Sequence, residues 1–425
     1  MALATVNRFE GAGLWVVWSV AALAWMGLLA ALPSADAARG RTLILWAAAF
    51  HLAGIWGGPV LEDDYHRYLW DGFRFALDGT PYGTPPSDFF ADRSVPNSLR
   101  VHLDQINHPD LPTIYGPLPQ LMFRTVYSLA PGELWPLSLM LSAANLGVIT
   151  LLARAAAPPT VLLLYAWNPL VILETSFSAH PDILAAGLAL AAWLCIRGGR
   201  SATAGALLAA ACASRVIFLL AVPLILARVG VRAWAAWLAV FALAYGPFLA
   251  DGAAEASVLL TFGQQWQFNP GVFALAAAAL GDEAARGLVL GGTLALVLAL
   301  AYRLRQTASE TLAPTAMASA TVAVLALPLL LGPVVNAWYL IWLLPLAAVS
   351  PFRFAPWVAS AALLLSYATH FNLGLTPLED YRQPGWILAL EYGLIWAAVA
   401  WEARVVILRR ALRPAVQRLA GIETT

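Results

Sequence analysis

Three adjacent carboxylates, Glu62, Asp63 and Asp64, stand directly after an apolar run at 42 to 61 and directly before Tyr65-His66-Arg67-Tyr68-Leu69-Trp70-Asp71-Gly72. Carboxylates so placed repel one another and lose solvation, so something must compensate them. One reading is an N-cap, with Asp63 or Asp64 accepting from backbone N–H groups at the positive end of a helix. The other is a carboxylate base in a cleft, where partial desolvation raises the pKa of one member towards the working range. A third and weaker reading is a cation site built from Glu62, Asp63, Asp64 and one of His66 or His108, which no helical His pair supports.

Other residues able to do chemistry are scattered along apolar stretches. Arg215 interrupts the apolar segment from 202 to 228, and an intramembrane charge is a functional hypothesis by default. Its bland alternatives are snorkelling and pairing with a buried acid. Glu174 lies near the end of an apolar run and is expected to neutralise an arginine. Asp182 opens a helix and can cap it, while His180, His108 and Tyr115 read equally as site residues or as interfacial anchors. Asn336, Trp338 and Tyr339 can contact a ligand, although aromatics at span ends more often anchor at the interface. Cys195 and Cys212 sit in apolar runs with no metal or redox spacing and read as small core residues.

The elements that must position these groups are membrane helices. The 425 residues are 61% hydrophobic and 11% charged, against roughly 45–50% and about 25% in soluble domains. That balance excludes nucleic-acid binders, secreted disulfide scaffolds and disordered tails. Apolar runs able to cross lie near 13 to 32, 42 to 61, 134 to 155, 158 to 177, 182 to 197, 231 to 250, 284 to 302, 311 to 331, 337 to 350, 354 to 371 and 385 to 406. The expectation is an all-α, polytopic transmembrane bundle of about eleven spans, one integral membrane domain over 1–425, with 202 to 228 as a re-entrant hairpin. The first run exceeds the core of a signal peptide and reads as a retained span.

Formal net charge is zero and all 24 basic residues are arginines, so the information is in where the charges sit. Arg39, Arg41, Arg154, Arg197, Arg200, Arg228, Arg232, Arg303, Arg305, Arg353 and the arginine-rich tail fall on one side when the spans alternate. By the positive-inside rule that side is the cytoplasm. The opposite side then carries the loop 62–112, His180, Asp251, Glu255, 264–269, Asn336, His370, Glu379 and Asp380. In that outer loop Tyr65, Tyr68, Leu69, Gly72, Phe73 and Ala76 form the stripe of an amphipathic helix. Asp64, Arg67, Asp71, Arg74 and Asp78 form its other face, expected to be solvated and laced with weak ion pairs. The prolines from 80 to 119 predict an irregular wall without regular helix.

Asp63-Asp64-Tyr65, Arg67 to Gly72, Thr80-Pro81-Tyr82 and Ile114-Tyr115-Gly116-Pro117-Leu118 resemble the first outer loop of the GT-C superfamily of polytopic glycosyltransferases. The nearest likeness is to bacterial polyprenyl-phosphate-mannose-dependent mannosyltransferases and to the first mannosyltransferase of GPI-anchor assembly. Ser178-Ala179-His180-Pro181-Asp182 resembles the second outer His-x-Asp element, and Ala337 to Pro345 the aromatic late span. The resemblance implies inverting transfer of a hexose, mannose before others, from a polyprenyl-phosphate donor to a glycan or lipid acceptor. It places the reaction on the non-cytoplasmic face of the plasma membrane, with no required cofactor. It makes Asp64 the base, with Asp63 beside it in the catalytic pair. Glu62 replaces the family's first acid, which leaves a divalent cation open.

A lipid phosphate is already a good leaving group, so one carboxylate and one or two cations meet the chemical need. Arg215 is the favoured partner for the phosphate because a guanidinium matches phosphate oxygens and stays charged at depth. Arg67 and Arg382 are reserves. Glu62, His108, Tyr115, His180, Asp182 and Tyr339 complete the candidate substrate-binding set. The rival class is a lipid or small-solute transporter, which would keep its ionisable groups near mid-membrane rather than at one surface.

Overall fold

The computed structural model describes residues 40–59, 62–251, 255–306, 313–352, 354–368 and 382–419, with side chains as far as 405. The chain is all-α through these segments, as expected. The run at 13 to 32, Arg353, His370, Glu379 and Asp380 lie outside the described residues.

Among the described residues five helices are long and apolar enough to cross a bilayer: Trp135–Arg154, Val231–Leu249, Asp282–Gln306, Pro314–Leu331 and Gly385–Val405. A sixth span forms if Pro159–Ala166 and Pro169–Phe177, bent by 41° at their junction, count as one. The junction is set locally, because Asn168 ends one helix and caps the next, its side-chain oxygen accepting from Leu170 and Val171. The runs expected at 42 to 61 and 182 to 197 fold as Gly40–Gly57 and Asp182–Arg197. The stretch from 202 to 228 breaks at Arg215, where Ser201–Ser214 gives way to the 3-10 turns Val216–Ala221. The run at 337 to 350 is likewise broken, into the 3-10 segment Ala337–Trp342 and the short helix Leu344–Ala348.

The 201–214 helix packs between Asp182–Arg197 and Val231–Tyr245, and the core runs from the first described helix through to Ile395. Arg197 donates to the Ala155 carbonyl at 3.3 Å, which places the C-terminal ends of the 135–154 and 182–197 helices together. At 1.5 Å per residue the fifteen steps from Asp182 to Arg197 hold those two positions about 22 Å apart along the helix.

The outer loop folds around the helix Tyr65–Asp78, which lies on Pro117–Leu129. Contact is close because Gly72 has no side chain; a Cβ there would meet the Phe123 carbonyl oxygen at 2.3 Å. Two expectations fail here. The polar face of this helix is not solvated: Arg67 and Asp71 are buried. Arg67 donates to the carbonyls of Leu111, Asn107 and His108, and Asp71 accepts from Gln120 at 2.9 Å. The Pro-rich segment and the next helix cover what an isolated amphipathic helix would give to water, and Arg74 with Asp78 form the ion pair that does follow the expected pattern. Nor is the segment 80–119 free of helix. Pro86–Phe89 forms a 3-10 turn, Asn97–Leu103 makes two α-turns, and Pro117 sits at the first turn of the following helix. Pro96 precedes that two-turn helix, where its fixed φ costs nothing and no N–H is missed. Leu99 and Leu103 bury against Trp70 and Phe73 in a small core beneath the loop.

Candidate active site

Asp64 is the N-cap residue of the Tyr65–Asp78 helix, yet its side chain makes no cap hydrogen bond. Its main-chain carbonyl takes the first helical N–H groups, from Arg67 at 2.9 Å and Tyr68 at 3.3 Å. The carboxylate is therefore free to face inward. Tyr115 donates its hydroxyl to Asp64 Oδ2 at 3.0 Å, and His180 Nε2 stands 3.7 Å from the same oxygen. The Asp64 side chain keeps 28% of its surface open, enough for a hydroxyl to reach the other oxygen. Asp63 turns the opposite way and accepts from Asn107 Nδ2.

Tyr115 is fixed from two sides. Its hydroxyl lies 3.3 Å from that of Tyr68, whose ring stacks on Phe123. Its backbone runs so close to the end of the 201–214 helix that a Cβ on Gly116 would meet the Ala213 carbonyl oxygen at 2.4 Å. This approach carries the Arg215 guanidinium over the Tyr115 ring, 4.8 Å from its centre. Arg215 Nη2 donates to Asp182 Oδ2 at 2.6 Å, and the other Asp182 oxygen takes the Trp342 indole N–H. The expected alternative for Arg215, pairing with a buried acid, is thus present. It uses part of the guanidinium only, and the Nε atom is buried without a partner. Asp182 caps nothing, since Pro181 is the N-cap residue of its helix.

His180 is buried between two acids. Its Nδ1 lies 3.0 Å from Glu174 Oε2, and its ring stacks on Trp338 at 4.1 Å and 12°. Trp338 meets Tyr339 edge-on, and Tyr339 stacks on Trp342 at 4.2 Å. Glu174 therefore answers a histidine rather than an arginine, a correction to the sequence reading.

Electrostatics divide the acid triplet. Burial pushes Glu62 well above the usual carboxylate range, with the Asp64 charge adding to it. Burial, again with Asp64, lifts Asp63 to about 6, the Asn107 hydrogen bond opposing. Burial acts on Asp64 too, but the nearby His180 imidazole and its charge, the Tyr115 hydroxyl and Arg215 outweigh it and hold Asp64 below its ordinary value. His180 is the converse case: burial lowers it, yet the Asp64 carboxylate nearby and the bond to Glu174 raise it to about 10. The acid expected to act as base is thus the one kept ionised, while its neighbours carry the raised values. Asp64 has His180, Tyr115 and Arg215 together, whereas Asp63 has the Asn107 amide and Glu62 the His180 charge, neither enough to offset burial.

Tyr115, His180, Asp182, Arg215 and Tyr339 gather with Asp64, and Glu62 lies within range of the same charges. Arg67 belongs to the loop's framework, bound to three carbonyls. His108 is exposed, with φ of 51° and its ring 4.0 Å from Trp266. Arg382 is exposed just before Gly385–Leu419. One oxygen from each of Glu62, Asp63 and Asp64 lies within 4.8 Å of the others, and His66 places its Nδ1 2.8 Å from Nδ1 of His102. Sequence reasoning missed Tyr68, Trp342, Tyr367 and Asn107. Of these, Tyr68 and Trp342 lie within the motifs Arg67 to Gly72 and Ala337 to Pro345, while Tyr367 and Asn107 carried no signal.

An apolar groove of about 730 Å³ lies between the 117–129, 135–154 and 182–197 helices, and none of the clustered site residues lines it. Leu118 and Ile183 line it beside Gly116 and Asp182; Met122, Ala144 and Gly187 line its middle, and Arg154 its far end.

The family model for the N-terminal domain of alpha-(1->6)-mannopyranosyltransferases matches residues 2–232. No curated protein and no solved structure matches the chain. The match spans more than half of the chain, which belongs to this family and is a glycosyltransferase. The resemblance drawn from the outer-loop motifs is borne out, and the transporter alternative gives way to an enzyme.

Proposed function

We propose that this family member transfers mannose from a polyprenyl-phosphate sugar to an acceptor hydroxyl, with inversion, on the membrane face opposite its arginine-rich loops. The observation that carries the reading is Asp64: an ionised, partly open carboxylate held by Tyr115 and His180 and within range of the Arg215 charge, with an apolar groove between the neighbouring helices. The groove suits the prenyl chain. Arg215, steadied by Asp182, meets the phosphate through its uncommitted N–H groups, and Trp338 with Tyr339 forms an aromatic wall for the sugar.

Each step then has its residue. An acceptor oxygen attacks the anomeric carbon as its proton passes to Asp64. The bond from that carbon to the phosphate oxygen breaks, and the electron pair leaves with polyprenyl phosphate, whose growing charge faces Arg215. The eleven-span topology, with a cytoplasmic C-terminus and an outward site, belongs to this reading. Supporting it, Asp182 and the His180 cluster lie at the opposite end of the 182–197 helix from Arg197. No cation is assigned to the acid triplet, whose Asp63 and Asp64 already have partners.

The test uses purified full-length protein in lipid nanodiscs with polyprenyl-phosphate mannose and an α-mannoside acceptor. Asp64→Asn should lose about 10²- to 10⁴-fold in kcat, the usual worth of a general base, while Asp63→Asn loses far less. Full turnover by Asp64→Asn overturns the base assignment. Turnover with other polyprenyl-phosphate sugars but none with mannose overturns the donor.

A further inference from the structure

The chain leaves α-helical geometry for one π-helical turn at Leu173–Phe177, just ahead of His180. Such turns insert a residue and re-aim side chains, often at functional sites. Here the result is that one glutamate holds the histidine by both main chain and side chain. The His180 amide donates to the Glu174 carbonyl at 2.8 Å, and the Glu174 carboxylate meets Nδ1 of the ring at 3.0 Å. Ala179, at φ 57°, makes the sharp turn between them.

Glu174 has no exposed surface and both its oxygens are committed. Oε2 faces the imidazole, and Oε1 accepts from the Tyr367 hydroxyl at 2.5 Å across 193 residues of sequence. A carboxylate buried among apolar helices is costly unless paired, and an apolar side chain of like size would pack there at no such cost. Its partner's other nitrogen, Nε2, is buried with no hydrogen bond and points to Asp64 at 3.7 Å. The order is therefore Tyr367, Glu174, His180, Asp64, with Trp338 flat against the imidazole.

We propose that Glu174 is a positioning residue of the transferase: it anchors His180 as an imidazolium whose Nε2 proton faces Asp64. The proposal rests on the reading of Asp64 as base. When Asp64 takes the acceptor's proton its negative charge disappears, and a buried imidazolium beside it would be stranded. Glu174 keeps that cation neutralised throughout, so proton transfer to Asp64 leaves no unpaired charge at depth. Before the step the same imidazolium keeps Asp64 ionised. The other charged and titratable groups facing this row are Arg215, Tyr115, Asp63 and Glu62 around Asp64, Glu62 and Tyr367 around Glu174, and Tyr68 beside the ring. None of them replaces the contact that Glu174 makes with Nδ1.

The experiment is the pH dependence of kcat/KM and kcat for wild type, Glu174→Gln and Glu174→Asp, with Asp64→Asn in parallel. An opposite charge within about 4–6 Å commonly shifts a group by 1–3 units. In Glu174→Gln the alkaline limb, set by loss of the His180 proton, should fall by about that much from its wild-type position near 10. Its acid limb should not rise, because His180 is still protonated at the low pH where Asp64 titrates, and donor KM should change little. Glu174→Asp keeps the charge and should keep the alkaline limb near wild type. A merely structural role would lower kcat at every pH and leave both limbs where they are, which overturns the proposal. If Glu174→Gln does not fold, the wild-type profile decides: an alkaline limb near 6.5, the ordinary imidazole value, overturns it. Full turnover by Asp64→Asn sinks the base reading instead, and an inactive Asp64→Asn with an unmoved Glu174→Gln profile sinks only this proposal.

Discussion

Replacing Arg215 by lysine separates what its charge does from what its shape does. The arginine has one Nη bonded to Asp182 at 2.6 Å and its Nε buried with no partner. Neutral replacements are uninformative, because Asp182 has no exposed surface and stripping its cation costs about 3–5 kcal/mol of stability. Lysine keeps a positive charge for Asp182 but brings a point charge in place of a planar fork. If the free N–H groups bind the donor phosphate, the variant loses about one hydrogen bond to a charged group, or about 1.5–3 kcal/mol. At 1.4 kcal/mol per decade that is about a 10- to 100-fold fall in kcat/KM for the lipid donor. Inhibition by free polyprenyl phosphate should weaken by a similar factor, since the product presents the same phosphate. Thermal unfolding in detergent checks that the fold survives. A lysine variant with unchanged Tm, wild-type kcat/KM and undiminished product inhibition would refute the assignment, and so would a defect confined to acceptor KM.

Two further outcomes follow from the same geometry. Asp64 is held below its ordinary value, so activity should be fully present above the usual carboxylate range and decline only as pH falls through that lowered value. Were Asp63 the base, the acid limb would lie near 6, and a pH–rate profile read to pH 4 distinguishes them. Gly116→Ala should drive a methyl into the Ala213 carbonyl and destabilise by about 1–3 kcal/mol as overpacking does. It should also cost activity beyond that loss, since the same approach seats Tyr115 under Arg215; a variant with wild-type Tm and kcat would show that the wall tolerates the shift.

Which parts of the chain were legible depended on whether a residue's partner was near in sequence. The boundaries of the 182–197 helix, the break at Arg215 and the helical stripe of the outer loop are local patterns, and each is found. The face holding Arg67 and Asp71 was misread because periodicity reports one buried side, whereas this helix is covered on two. The two-turn helix Asn97–Leu103 was missed because Pro96 reads as a breaker, although before a helix it is a favourable start. Burial of the acid triplet was foreseeable, but its consequence for each acid was not. Which carboxylate is raised depends on partners 51 residues away for Tyr115 and still further for His180 and Arg215. The same holds for Glu174. A lone acid in an apolar run announces that a compensating cation exists somewhere, but the sequence offers 24 arginines and six histidines. Only a π turn, which has no signature in residue type, turns it towards His180 instead of the arginine nearest in the membrane. The site's charge balance is therefore a property of packing between segments that could be read singly but not in register.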